Sequence, residues 1–272
     1  MIHETIHLCA DDENVTLKTY LYDTRKAKSD AVLVIPGGGY SAVCADREGE
    51  NVAMALSVEG FRTFVLNYSV KEKAKFPRPL VEASLAMAHI RAHAEEYKVD
   101  PNRIFVLGFS AGGHLAGSLG TMWHKECVWK AAGLEYGENR PAGMILCYPV
   151  LCYFDKTHLG TFYNLLATTE PTEEQINEWS VERNVDERTC PAFLWHTSDD
   201  PAVNILNNVY MQQALAENKI PFEAHIYPHG PHGMALANDI TAANANMIRP
   251  NIAEWPRLAA NWMRSIQTEE KA

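Results

Sequence analysis

Over its first 22 residues the chain alternates polar and apolar positions on both sides of Asp11-Asp12-Glu13-Asn14. This is the period-two pattern of a β-hairpin closed by an acidic turn, and such a hairpin covers one edge of a sheet. Short continuous apolar runs follow at Ala31 to Ile35, Phe61 to Leu66, Ile104 to Phe109, Met144 to Tyr148, Phe193 to Trp195 and Glu223 to Tyr227. Runs of this length, several rich in β-branched and aromatic residues, predict parallel strands covered on both faces. Helical periods lie between them at Glu48 to Glu59, Leu80 to Tyr97, Ala111 to Trp123 and Asn204 to Glu217, and Trp255 to Ile266 closes the chain. Strand alternating with helix predicts an α/β fold built on a doubly wound, mostly parallel sheet.

One stretch interrupts the rhythm. Residues 151–189 form an insertion between two predicted strands, with a short helix expected at Pro171 to Trp179. Insertions of this length are usually lids or pocket walls, and this one emerges where ligands sit in such sheets, beyond the C-terminal ends of the strands. No repeat, low-complexity segment or linker divides the chain, so residues 1–272 are expected to form one domain.

Composition narrows the function classes. Apolar residues make up 47% and charged residues 21%, the balance of an ordinary folded protein. The 24 basic and 34 acidic residues leave a net charge of −10, with no Lys/Arg stripe able to neutralise phosphates, so nucleic acid is not an expected partner. No apolar run approaches a membrane span, and Met1 to Ala10 has neither a basic nor an apolar leader region. No membrane partner and a cytoplasmic location are therefore expected. Cys9, Cys44, Cys127, Cys147, Cys152 and Cys190 are scattered without C-x-x-C or Cys/His ligand spacing, so they are expected to be reduced and to bind no metal.

The most informative stretch is Ile104-Phe105-Val106-Leu107-Gly108-Phe109-Ser110-Ala111-Gly112-Gly113-His114, an apolar strand running through Gly-x-Ser-x-Gly into a helix. A sharp strand-to-helix turn holds a serine hydroxyl exposed above the sheet, flanking glycines let the backbone pass closely, and the helix N-terminus favours developing negative charge. Ser110 is thus the expected nucleophile. Pro36-Gly37-Gly38-Gly39-Tyr40 follows another buried strand, where a glycine-rich loop can turn bare N–H groups toward a carbonyl attacked by Ser110. No Gly-Lys-Ser/Thr or Gly-x-Gly-x-x-Gly frame makes that loop a phosphate cradle. For an acid, Thr197-Ser198-Asp199-Asp200-Pro201 offers two adjacent aspartates, and for a base Pro228-His229-Gly230-Pro231-His232-Gly233 offers two histidines. Residue types alone leave both choices open.

These segments, with Asp46-Arg47-Glu48-Gly49-Glu50 and Val65-Leu66-Asn67-Tyr68-Ser69-Val70, resemble the α/β-hydrolase superfamily over nearly the whole chain after the hairpin. More narrowly, the chain is similar to the small esterases of the acetyl-esterase, acetyl-xylan-esterase and feruloyl-esterase-like (BD-FAE-like) group, relatives of the hormone-sensitive-lipase-like esterases. The resemblance implies a Ser110, Asp200, His232 triad, with Asp199 as a turn residue and His229 as a loop hydrogen-bonder. It implies an oxyanion hole of Gly38, Gly39 and the Ala111 N–H, with Pro36 standing where the lipase-like family has histidine. Asp46-Arg47-Glu48 is expected to brace that loop through salt bridges. Tyr40, Tyr68, His158, Thr161 and Asn164 are expected to line the substrate pocket.

Of the 11 histidines, the remaining candidates rank lower. His114 is expected to be packed and bonded to backbone, and His196 to anchor the acid loop. His89 and His93 share the i,i+4 spacing of metal ligands, but Ile90 stands where the zinc-protease motif needs glutamate, so they are expected to be surface residues. The expected function is a serine carboxylesterase for short acyl esters, acetyl esters of xylan-derived oligosaccharides foremost, needing no cofactor. The rivals are a small serine peptidase or arylformamidase on the same fold, and a hydrolase-fold binding protein without catalysis.

Overall fold

The apolar runs assemble into one eight-stranded sheet in the computed structural model, which describes residues 3–24 and 26–266. The hairpin strands β1 (Thr5–His7) and β2 (Thr16–Tyr20) come first, then β3 (Ser29–Ile35), α1 (Ala45–Glu48), α2 (Glu50–Val58) and β4 (Arg62–Asn67). Next are α3 (Arg78–Ala92), β5 (Val99–Phe109), α4 (Ser110–Met122), α5 (Glu126–Trp129) and β6 (Met144–Cys147). The insertion carries α6 (Leu159–Leu166) and α7 (Glu173–Trp179), and β7 (Ala192–Thr197), α8 (Leu206–Glu217), β8 (Phe222–Tyr227) and α9 (Trp255–Ser265) complete the chain.

The strand order is β1-β2-β4-β3-β5-β6-β7-β8. Strands β3 to β8 are parallel to one another, while β2 lies antiparallel to β4 and β1 antiparallel to β2. The hairpin therefore covers the outer edge of β4, as the alternating pattern predicts.

Both faces of β3 to β7 are largely buried, which is why their sequences read as continuous apolar runs. Leu33, Ile35, Val106, Leu146 and Leu194 pack beneath α3, α4 and α8, and the alternate residues Val32, Val34, Leu107, Phe193 and Trp195 pack beneath α2 and α9. The chain winds outward from β3 in two directions, first to β4 and then across to β5. That reversal opens a crevice at the C-terminal ends of β3 and β5, where ligands bind in doubly wound sheets.

Two helical expectations need correction. The period expected from Glu48 to Glu59 is broken at Gly49 into α1 and α2, and α3 stops at Ala92, before Tyr97. The helix expected near Pro171 starts at Glu173, with a capping box in which Thr172 Oγ1 accepts from Gln175 N–H and Gln175 Oε1 accepts from Thr172 N–H. Among the described residues, no helix is long and apolar enough to cross a membrane.

Candidate active site

Ser110 sits at the junction of β5 and α4 with φ of +53°, a left-handed conformation that a non-glycine residue adopts only under constraint. The constraint is the close approach of α4 to the end of β3. A Cβ on Gly112 would lie 2.2 Å from the Ile35 carbonyl oxygen and 2.4 Å from that of Pro36. Glycine at that place of the Gly-x-Ser-x-Gly pattern is therefore a packing requirement. It brings the first turn of α4, including the Ala111 N–H that no earlier turn can pair, against the glycine-rich loop.

That loop turns sharply at Gly38, whose φ is +132° and whose Cβ, if present, would lie 2.1 Å from the Ala42 carbonyl oxygen. Ser41 and Ala42 donate their N–H groups to the Gly38 carbonyl, and Asn164 Nδ2 donates to the Gly39 carbonyl at 2.8 Å. The Gly37 N–H is spent on Glu48 Oε2 at 2.7 Å. Among the described residues, the N–H groups of Gly38 and Gly39 have no partner within the fold. The loop thus has its carbonyls tied back and two amides free.

The remaining groups come from the loops after β7 and β8. His232 Nε2 lies 2.9 Å from Ser110 Oγ, and His232 Nδ1 lies 2.7 Å from Asp200 Oδ2. Asp200 Oδ1 accepts from the N–H groups of Ala202 and Val203 at 2.8 and 2.9 Å. His196 Nε2 donates to the Val203 carbonyl at 3.0 Å and stands 3.4 Å from Asp200 Oδ2, so it anchors the loop that carries Asp200. Burial by itself would push the Asp200 carboxyl up, but His196, His232 and the Val203 N–H outweigh it and hold the group well below the usual carboxylate range. An ionised Asp200 accepting from Nδ1 leaves Nε2 free to accept from the Ser110 hydroxyl. Asp199 is turned elsewhere, bonding His229 Nδ1 at 2.9 Å and the Gly230 N–H at 2.9 Å.

The expectations for Tyr40 and Tyr68 and for the Asp46-Arg47-Glu48 salt bridges are overturned. Tyr40 and Tyr68, expected to line the pocket, are both buried, and their hydroxyls are already used. Tyr68 donates to the Pro36 carbonyl at 2.8 Å, and Tyr40 bonds His114 Nδ1 at 2.9 Å, so both support the loop from beneath. Glu48 braces the loop through a backbone N–H and not through a salt bridge, and Arg47 Nη2 lies 3.9 Å from Cys44 Sγ. Thr161 is buried and stands 2.8 Å from His158 Nδ1, while Asn164 reaches the Gly39 carbonyl and so holds the loop. His158 is exposed beside Gly39, and burial followed by the nearby His232 lowers its pKa.

His114 is packed as expected, with Nε2 bonded to the Trp179 carbonyl at 2.8 Å and Nδ1 to Tyr40. A neutral imidazole carries one proton, so Nε2 donates and Nδ1 accepts from the tyrosine. His114 thereby joins α4, the glycine-rich loop and the insertion. His89 and His93 are half-buried and stacked at 4.1 Å, with His89 Nε2 3.0 Å from the Tyr97 hydroxyl. Among the described residues, no group of three His, Cys, Asp or Glu side chains is arranged to hold a metal ion. A groove of about 830 Å³ between α2 and α9, lined by Met54, Val58, Leu236 and Ile240, contains none of the residues described above.

Sequence reasoning missed Tyr148, whose hydroxyl donates to Glu48 Oε1 at 2.8 Å and whose ring stands edge-on to His232 with centroids 4.9 Å apart. The one available signal was a polar-tipped aromatic at the end of a buried strand.

The chain is similar to known hydrolases. The BD-FAE family model matches residues 17–142, and the prolyl oligopeptidase family model matches residues 81–248. Endo-1,4-β-xylanase B of Butyrivibrio fibrisolvens is 39% identical over 228 residues, which are 82% of this chain and 35% of that protein. Acetylxylan esterase of Xylanibacter ruminicola is 27% identical over 231 residues, 84% of this chain and 45% of that one. The chain thus spans less than half the length of these two curated relatives. The crystal structure of an acetyl ester-xyloside bifunctional hydrolase from Caldicellulosiruptor lactoaceticus matches with a TM-score of 0.83 at 35% identity, covering 97% of this chain and 96% of that one.

Proposed function

The chain belongs to the α/β-hydrolase superfamily, with a prolyl oligopeptidase family domain over residues 81–248, and from that premise we propose that it is a serine carboxylesterase of short-chain acyl esters. The observation that carries the reading is the unbroken hydrogen-bonded run from Asp200 through His232 to Ser110 beside free loop amides. In the proposed reaction His232 Nε2 takes the Ser110 proton as Oγ attacks the ester carbonyl. The N–H groups of Gly38, Gly39 and Ala111 receive the oxyanion, each worth on the order of 3 kcal/mol in comparable sites. His232 then protonates the departing alcohol, and water attacks the acyl-enzyme with His232 as base. Asp200 fixes the imidazole tautomer throughout. Residues 1–272 act in this scheme as one α/β-hydrolase domain.

The substrates proposed are acetyl esters on xylan-derived sugars or oligosaccharides, with His158 as an exposed side chain beside the oxyanion loop. Supporting this are the acetylxylan esterase relative and the acetyl ester-xyloside hydrolase structure. The decisive measurement is acetate release from acetylated xylo-oligosaccharides against plain aryl acetates. Both are expected to be hydrolysed, the oligosaccharide with the higher kcat/KM. Ser110→Ala is expected to fall to background and to lose labelling by a fluorophosphonate probe; wild-type turnover in that variant would overturn the reading. The prolyl oligopeptidase match favours one other reading, a small serine peptidase, and cleavage of a peptide panel without ester hydrolysis would establish it.

A further inference from the structure

One buried carboxylate ties the oxyanion loop to the loop that carries His232. Glu48, 2% exposed, closes α1 and accepts from the Gly37 N–H with Oε2 and from the Tyr148 hydroxyl with Oε1. The Tyr148 oxygen in turn accepts from the Ala235 N–H at 2.9 Å. A continuous path of hydrogen bonds therefore runs from the backbone of one loop to the backbone of the other, passing under the Tyr148 ring that faces His232. Tyr148 is itself fully enclosed and held at φ of +36°.

Filling space does not require this. Desolvating a carboxylate costs several kcal/mol, and a well-packed apolar pair of similar volume is often as stable or more so. The donors also fit the ionised form. With the Ala235 N–H on the tyrosine oxygen, the hydroxyl proton is left to bond Glu48, and the second carboxylate oxygen takes Gly37. The titratable groups around Glu48 are Arg47 and Cys44 beside it in the chain, Tyr68 after β4, Cys147 and Tyr148 at the end of β6, and His232. Burial pushes the Glu48 carboxyl up, and Gly37, Tyr148, Arg47 and His232 offset this only in part.

The geometry points to Glu48 as a positioning residue for the reaction proposed above: with Tyr148 it holds the oxyanion amides and the imidazole in one frame. It also sets a second negative charge, besides that of Asp200, near the imidazolium that forms when Ser110 loses its proton. The inference rests on the Ser110, His232, Asp200 reading and concerns how that machinery is held.

The test compares Glu48→Gln and Tyr148→Phe with the wild-type enzyme on an aryl acetate, with kcat and KM measured separately from about pH 5 to about pH 9 and thermal midpoints alongside. Glu48→Gln is expected to lose about tenfold or more in kcat with KM within about twofold. Its acid limb of kcat/KM is expected to move to lower pH, because a charge favouring the protonated imidazole is gone. Tyr148→Phe leaves the carboxyl group in place and cuts the link to Ala235, so kcat falls about threefold or more while the acid limb moves less than in Glu48→Gln. A folded Glu48→Gln with wild-type kcat, or with an unmoved acid limb, overturns the inference. If Glu48→Gln does not fold, wild-type kcat in Tyr148→Phe overturns it alone. Wild-type turnover in Ser110→Ala sinks the esterase reading instead, a result independent of either variant.

Discussion

Two aspartate–histidine pairs stand next to each other in this molecule, made from adjacent aspartates and from histidines in a repeated His-Gly frame. Asp199 bonds His229 at 2.9 Å, and Asp200 bonds His232 at 2.7 Å. Each aspartate also accepts backbone N–H groups, from Gly230 in one case and from Ala202 and Val203 in the other. Bond by bond the two pairs are almost interchangeable. Their surroundings separate them: the side chains of Asp199 and His229 are 51% and 78% exposed, those of Asp200 and His232 0% and 22%. Water and salt compete for the first pair, so its attraction is weak. In the second pair the carboxylate is enclosed, its field acts through a low dielectric, and the far nitrogen of the imidazole meets Ser110. Identical residue types thus diverge in role through burial and through the third group each pair meets.

The largest effect that can break this comparison is on Asp200. Asparagine at that position turns an N–H toward His232 Nδ1, which then gives its proton to Nε2, the atom that accepts from Ser110 in the proposed reaction. Asp200→Asn is expected to lower kcat by about 10⁴-fold while the protein stays folded. Aryl acetate hydrolysis with a thermal melt checks this, and a fully active variant would move the catalytic role to the exposed pair.

How far each part was legible follows from where its partners lie in the chain. The strands were readable because burial on both faces leaves a continuous apolar run, and Ser110 because its turn demands glycines at fixed local positions. The choice between Asp199 and Asp200 was not readable from residue types, since burial is set by β8 and its loop and not by the Asp-Asp sequence itself. Helix α6 escaped notice because it is a single eight-residue stretch with glycine second in it, defined mainly by Phe162 and Leu165 packing into the core. Asp46-Arg47-Glu48 looks like a set of ion pairs, yet Glu48 is satisfied by a backbone N–H and by a tyrosine distant in sequence. Tyr40 and Tyr68 were misread for the same reason: nothing near them in the chain reveals that His114 and the Pro36 carbonyl already occupy their hydroxyls.

A third imidazole sharpens the comparison because it is buried with no carboxylate at all. His114 bonds only Tyr40 and the Trp179 carbonyl, and burial pulls its pKa down to about 4, with the carbonyl pulling weakly the other way. The unfolded chain takes up this proton near pH 6.5 and the folded one only near pH 4. Its share of stability is therefore intact above about pH 6.5 and lost progressively as pH falls toward 4, in all about 3 kcal/mol. Denaturant unfolding at about pH 7 and about pH 4.5 is expected to show a smaller loss on acidification in His114→Gln than in the wild type. Equal losses in both proteins would show that His114 does not carry this linkage.

The smallest expected effect belongs to the exposed pair, and it is the most specific test of the comparison. Asp199 is held low mainly by His229 and the Gly230 N–H, with its side chain half exposed to solvent. Asp199→Ala removes both bonds, yet water replaces them, and the His229 ring has no buried charge left behind it. Activity is expected to stay within about twofold and the thermal midpoint within about 2 °C. Added salt, which screens exposed charges first, is expected to narrow even that difference between variant and wild type. A loss comparable to that of Asp200→Asn would mean that the Gly230 bond fixes the loop carrying His232, and burial would then no longer explain why neighbouring aspartates differ.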